Sequence, residues 1–139
     1  MLPALKQRGP DDNGIFLTKN IALGHTRLKI IDLSDNSRQP MVDNNLVIVF
    51  NGAIYNYREI RHELENKGHK FFSDGDTEVI LKSFKQWGEG CTKRFNGMFA
   101  FAIWDKEKKS LFLARDRFGI KPLYYMKTTN SFIFASNTK

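Results

Sequence analysis

The apolar positions of this chain change period twice. Two apolar runs, residues 15–18 and 21–28, are separated by Lys19-Asn20, a gap that suits a tight hairpin. A polar loop follows at residues 32–40. Residues 46–50 (LVIVF) form an unbroken apolar run, long enough only for a buried strand, and Asn51-Gly52 directly after it reads as a turn. The spacing then becomes helical. Tyr57, Ile60 and Leu64 recur on one face, Asn56 and Glu59 make a capping-box-like pair, and Asn66-Lys67-Gly68 supplies a stop. Residues 69–72 read as a short strand. Asp74-Gly75-Asp76 turns into a second helix with Val79, Ile80, Phe84 and Trp87 on its apolar face and Gly88 at its end. Period two then returns in residues 98–104, 111–114, 123–126 and 132–135, separated by turns. Strands, two helices and more strands lack the steady alternation of a parallel sheet, so the pattern predicts an α+β fold with mostly antiparallel pairing.

With 139 residues, 41% apolar and 27% charged, the chain has the balance of one folded domain, and it shows neither repeat nor linker. The net charge of +7 raises the question of an anionic partner. The basic residues are spread along the chain, without an RNP-type, zinc-finger or basic-heptad element, so a solvated basic surface is expected and no nucleic acid. The aromatic stretch 95–101 has the period of a core strand rather than of a base-stacking surface. One cysteine, Cys91, excludes an intrachain disulfide framework, and three scattered histidines suggest no metal site. No apolar run is long enough for a membrane span and none has the pattern of a secretory signal, so a cytoplasmic location is expected.

Four constellations carry chemistry. Gly24-His25-Thr26-Arg27 ends an apolar run, where an arginine presents a fork of donors to a carboxylate or makes an ordinary surface ion pair. Asn51-Gly52 offers an amide side chain and a neighbouring backbone N–H that together suit an oxyanion, although Asn-Gly alone is usually a turn. Asp76 at a helix start either receives an amine or caps the helix. Residues 114–125 (ARDRFGIKPLYY) form a charged turn between strands that physical reasoning alone assigns to no reaction.

Read in order, these stretches are no longer anonymous. RGPDD (residues 8–12), GHTRLKIIDLS (24–34), QP (39–40), FNGAIYNYREIR (50–61), SDGDTEVIL (73–81), FNGMFAFAIWD (95–105), ARDRFGIKPLYY (114–125) and FASNTK (134–139) span the chain. The sequence resembles the glutamine amidotransferase domain, of the class II or N-terminal-nucleophile type, of the asparagine synthetase family. The resemblance implies a four-layer αββα sandwich of mostly antiparallel sheets, with residues 1–139 a partial domain truncated at its N-terminus. It implies that a cysteine at the mature N-terminus attacks the side-chain amide of glutamine, its own α-amino group serving as base. A thioester forms, and the ammonia goes to a separate ATP-dependent synthetase domain.

Residue by residue, Arg27 matches the arginine on the substrate α-carboxylate, with the backbone of Leu28 and Ile30 beside it. Asn51 and Gly52 match the oxyanion-hole pair, and Asp76 matches the carboxylate that receives the substrate α-ammonium. Two departures stand out. Residue 2 is Leu2, and Arg8 lies where the family has a few dozen preceding residues, so the nucleophile is expected to be absent and the chain alone inactive. Cys91 has no free amine to act as its base and is not expected to substitute. Ala53 stands where many members carry an acid, which leaves Asp76 most of the grip on the amine. The implied partners are glutamine and the synthetase domain, and a strand edge left open by truncation would favour a homodimer. No cofactor is expected in this domain; ATP and magnesium would belong to the synthetase domain. The alternatives are a non-catalytic glutamine-binding or interaction module and, far behind it, a basic nucleic-acid binder.

Overall fold

The computed structural model describes residues 12–27 and 35–138; the side chains of Asp12, Arg27 and Asp35 are not described. Its centre is the pair of apolar strands that the sequence marks most clearly. Strand β4 (Leu46–Ile54) runs antiparallel to β5 (Gly97–Asp105), from Leu46 opposite Asp105 to Ile54 opposite Gly97. On the outer side of β4 lies β3 (Met41–Asp43), and on the outer side of β5 lies β6 (Ser110–Arg115), giving the order β3-β4-β5-β6. Two separate hairpins complete the strands: β1 (Asp12–Leu17) with β2 (Ala22–Arg27), and β7 (Tyr124–Lys127) with β8 (Phe132–Ala135).

Both faces of the central sheet are covered, which is why residues 46–50 are continuously apolar instead of alternating. Ile48, Phe50 and Ile54 of β4 and Phe99, Phe101 and Ile103 of β5 face helices α1 (Tyr57–Asn66) and α2 (Asp76–Trp87). Val47, Val49 and Ala102 face the other way, onto Leu23 of β2 and Phe134 of β8. The described residues thus form three layers: helices, central sheet and the two hairpins. The further helical layer expected from the resemblance lies outside the described residues. Phe95, Phe99 and Phe101 interlock in the helix-side core with ring centroids 5.7–6.3 Å apart, the core role expected for that stretch. Among the described residues no helix is long and apolar enough to cross a membrane.

Several local expectations are corrected. Asn51-Gly52 is no turn: β4 runs through it to Ile54, because β5 continues to pair alongside. Strand β3 is hidden in the sequence by its polar surroundings; the turn to β4 uses Asn44 at φ 54°, a conformation asparagine tolerates. Asn56 precedes α1 but makes no side-chain cap. Its carboxamide instead accepts from the Asn96 N–H at 2.9 Å and donates to the Arg94 carbonyl at 3.0 Å, so a tertiary bridge takes the place of the capping box. Residues 69–72 pair with no strand, and a 3-10 segment, Gly88–Arg94, extends beyond α2.

The charged turn after β6 is wound around its own side chains. Asp116 accepts from the N–H groups of Ile120 (2.9 Å), Lys121 (3.0 Å) and Phe99 (3.2 Å), and Arg115 donates to the carbonyls of Gly119 and Lys121, both at 2.6 Å. Burial alone would push the Asp116 carboxyl up, but the N–H groups of Lys121, Ile120 and Phe99 outweigh it and hold it below the ordinary value. A depressed carboxyl stabilises the fold above its unfolded value near 3.8, and that contribution disappears as pH falls through the folded value. Asp116→Asn cannot accept on both sides, so the variant should lose about 2 kcal/mol at pH 7. The deficit should narrow below pH 3.8. Urea melts of both proteins at pH 7 and pH 3 check the size and its direction.

Candidate active site

Asn51, Gly52 and Ala53 occupy the far end of β4, half-buried, with Ile54 buried behind them. Gly52 has φ 147°, and a Cβ there would run into the Met98 carbonyl of β5. Glycine is therefore required for the two backbones to approach this closely. Among the described residues, no side-chain hydrogen bond engages the Asn51 carboxamide.

Asp76 opens α2 and is buried, at 5% exposure. It does not cap its own helix in the usual way: Gly75 is the N-cap, and the Asp76 carboxylate reaches sideways to accept the Ile54 N–H at 2.9 Å. That bond ties the helix start to β4 two residues beyond Gly52. Burial raises the Asp76 carboxyl above its ordinary value, against a weaker downward pull from the N–H groups of Ile54, Asp76 and Thr77. A buried carboxylate held partly by hydrogen bonds gains most from an added cation.

The loop before Asp76 is fixed by a fully buried glutamate. Glu78 accepts from the Ser73 hydroxyl at 2.7 Å, the Ser73 N–H at 2.8 Å and the Phe72 N–H at 3.1 Å. Arg61 of α1 donates to the Ser73 carbonyl at 2.6 Å and lies 4.5 Å from the centre of the Phe71 ring. Lys82 pairs with Asp43 at 2.8 Å and stands 3.8 Å from Glu78. This network explains why residues 69–72 form a held loop and not a strand. The sequence did not flag Glu78 beyond the stretch SDGDTEVIL.

On the other flank, His25 of β2 reaches the Phe50 carbonyl through Nε2 at 2.9 Å. This contact sets β2, two residues before Arg27, against β4, one residue before Asn51. The backbone of Arg27 closes β2 opposite Asp12. The Arg27 side chain, Leu28, Ile30 and the RGPD residues 8–11 lie outside the described residues. The structure therefore brings Asn51, Gly52, Ala53 and Asp76 together.

Cys91 is fully buried in the helix-side core, and burial pushes its thiol up to about 12. Burial of this kind disfavours the thiolate near neutral pH, the form a nucleophile needs. Iodoacetamide at pH 8 should label it in the folded protein at under a tenth of the rate seen in the urea-unfolded chain, read by mass spectrometry. Among the described residues no three His, Cys, Asp or Glu side chains gather as metal ligands.

Comparison with known proteins matches the whole chain, residues 1–139, to the family described as "Glutamine amidotransferase domain". The chain is 42% identical to asparagine synthetase [glutamine-hydrolyzing] 3 of Bacillus subtilis, covering 100% of itself and 23% of that protein. It is 43% identical to the putative asparagine synthetase [glutamine-hydrolyzing] 2 of Methanocaldococcus jannaschii, covering 100% of itself and 30% of that protein. Among solved structures it resembles the glutamine phosphoribosylpyrophosphate amidotransferase of B. subtilis, with a TM-score of 0.70 and 26% identity over 83% of this chain and 27% of that one. The chain thus spans between a fifth and a third of the length of these relatives. An antiparallel α+β sandwich with an amidotransferase as its structural neighbour agrees with the family match over every residue: the chain belongs to the glutamine amidotransferase domain family.

Proposed function

We propose that this domain hydrolyses glutamine and supplies the ammonia to a synthetase domain of the same protein, as the names of its relatives suggest. The observation that carries the reading is the bond from the Ile54 N–H to Asp76, which holds an anion beside the Asn51-Gly52 segment. The chemical types match a zwitterionic amino acid with a reacting amide. Asp76 receives the α-ammonium, Arg27 the α-carboxylate beside the backbone of Leu28 and Ile30, and Asn51 and Gly52 the carbonyl oxygen. Ala53 adds no charge, so Asp76 is the acid of the site.

The nucleophile in this reading is the N-terminal cysteine that the family resemblance implies; residues 1–139 do not supply it, so in this reading they hydrolyse no glutamine by themselves. Its thiolate adds to the amide carbon, and the electron pair of the C=O bond moves to oxygen. The Asn51 carboxamide and the Gly52 N–H stabilise that oxyanion. The intermediate collapses, the C–N bond breaks, and the nitrogen leaves as ammonia with the proton the α-amine took from the thiol. Water then cleaves the thioester, releasing glutamate and regenerating the thiol. No step draws on a cofactor in this domain; ATP and magnesium belong to the synthetase reaction. Chemistry of this kind suits a cytoplasmic enzyme.

The test is glutamate release from glutamine by the full-length protein, alongside a Cys91→Ala variant. Turnover undiminished by Cys91→Ala supports the proposal. Turnover abolished by it would overturn the assignment of the nucleophile. Glutamine binding without glutamate release would mark a binding module instead.

A further inference from the structure

One edge of β4 carries a pattern that the site residues alone do not explain. In an antiparallel strand, alternate residues direct their N–H and C=O to the same side. Phe99, opposite Gly52, has both backbone groups engaged by Asp116: its N–H donates to the Asp116 carboxylate at 3.2 Å, and its carbonyl accepts the Asp116 N–H at 2.8 Å. Gly52 therefore turns its own N–H away from β5, to the side on which Phe50 and Ile54 also present theirs. Strand β3 pairs with this edge only from Leu46 to Ile48. The amides of residues 50, 52 and 54 lie beyond its end.

Side chains take the first and third of these amides. The Phe50 N–H donates to Gln39 Oε1 at 2.6 Å, and the Ile54 N–H donates to Asp76 at 2.9 Å. Gln39 sits at the register position that a longer β3 would bring opposite Phe50, so its carboxamide replaces the missing backbone partner. The same carboxamide donates from Nε2 to Thr77 Oγ1 at 3.4 Å, next to Asp76. His25 holds the Phe50 carbonyl. The backbone of Gln39 is itself seated on β1, where the absent side chain of Gly14 leaves room for the Gln39 carbonyl.

We propose that Gln39 is a positioning residue: its carboxamide joins Phe50 to Thr77, setting the Gly52 N–H and the Asn51 amide in register with Asp76. The inference rests on the oxyanion reading of Asn51 and Gly52. A carboxamide suits the task because it accepts from one group while donating to another. Two ties, Gln39 and Asp76, run from β4 to the start of α2 and bracket the segment 51–53 between them.

The test measures amide hydrogen exchange and glutamine hydrolysis on the same full-length variants. Gln39→Met should speed exchange at Phe50 and Asn51 at least tenfold, with less than a twofold change at Val47 and Ile48. It should lower kcat at least tenfold while KM for glutamine stays within threefold. Thr77→Val should shift both in the same direction but less. Gln39→Glu, whose carboxylate still accepts the Phe50 N–H, should restore most of the protection. Unchanged exchange at Phe50 and Asn51 in Gln39→Met would overturn the tie, and faster exchange with unchanged kcat would overturn its role in positioning. If the unsubstituted protein releases no glutamate, the functional reading fails, and the exchange data alone decide whether Gln39 holds this edge.

Discussion

Gly52→Ala should cost this domain about 3 kcal/mol or more. Two independent terms add. The backbone at φ 147° is one that L-residues rarely adopt, and holding a side chain there costs about 1–3 kcal/mol. The new Cβ would also meet the Met98 carbonyl and the Phe99 Cα of the neighbouring strand. These are backbone atoms of the strand that pairs with β4 along its whole length, so they cannot rotate aside, and overpacking of this kind adds about 1–3 kcal/mol. Relief by separating β4 from β5 would break the ladder that carries the core and would displace the Asn51 and Gly52 amides. Gly90→Ala is the matched control, because nothing lies within 4 Å of a Cβ at that position. Urea denaturation should show a large loss for Gly52→Ala and a change within about 0.5 kcal/mol for Gly90→Ala. A loss below about 1 kcal/mol at Gly52 would show that the strands separate more easily than this packing allows.

The same glycine shows where the sequence could be read and where it could not. The continuous run 46–50 correctly marks a strand buried on both faces, and the helical spacing of Ile60 and Leu64, and of Val79 and Ile80, correctly marks helix faces that lie in the core. These signals are local, so propensity and period suffice. Asn51-Gly52 misleads because its local meaning is a turn, whereas its conformation is set by β5, over forty residues away. Asn56 misleads for the same reason: the groups that occupy its carboxamide belong to residues 94 and 96. The chemistry of Asn51, Gly52 and Asp76 is legible as residue types, and the family resemblance supplies their roles. The devices that hold them are not legible. Gln39 and His25 carry ordinary polar side chains in a loop and a hairpin, and only the ending of β3 at Met41 leaves Phe50 a donor and an acceptor for them to satisfy. Nothing in the sequence sets Glu78 apart within SDGDTEVIL; its role appears only where Phe72 and Ser73 fold back onto it.

Asp76→Asn should separate what the site does for the fold from what it does for a ligand. The carboxamide oxygen of asparagine can still accept the Ile54 N–H, so the tie between β4 and α2 survives. Burial raises the Asp76 carboxyl, so its charge is carried at a cost. The sign follows: the folded state favours the protonated acid. The associated stability is fully present below the unfolded value near 3.8 and is lost as pH rises through the higher folded value. At pH 7 the variant should therefore match or exceed the parent in stability, and the parent should gain on it as the solution is acidified. Ligand binding should move the other way. An ammonium paired with a buried carboxylate is worth roughly 2–5 kcal/mol when one partner is truncated, so KM for glutamine should rise at least about thirtyfold. Glutamine without its α-amino group, 4-carbamoylbutanoate, provides the control. It brings no cation to Asp76, so the substitution should leave its binding nearly unchanged, and the parent's preference for glutamine over it should collapse in the variant. An equal loss for both compounds would place the effect in the geometry of β4 and not in the charge. An unchanged KM for glutamine would remove Asp76 from the site and leave it the structural tie to Ile54 alone.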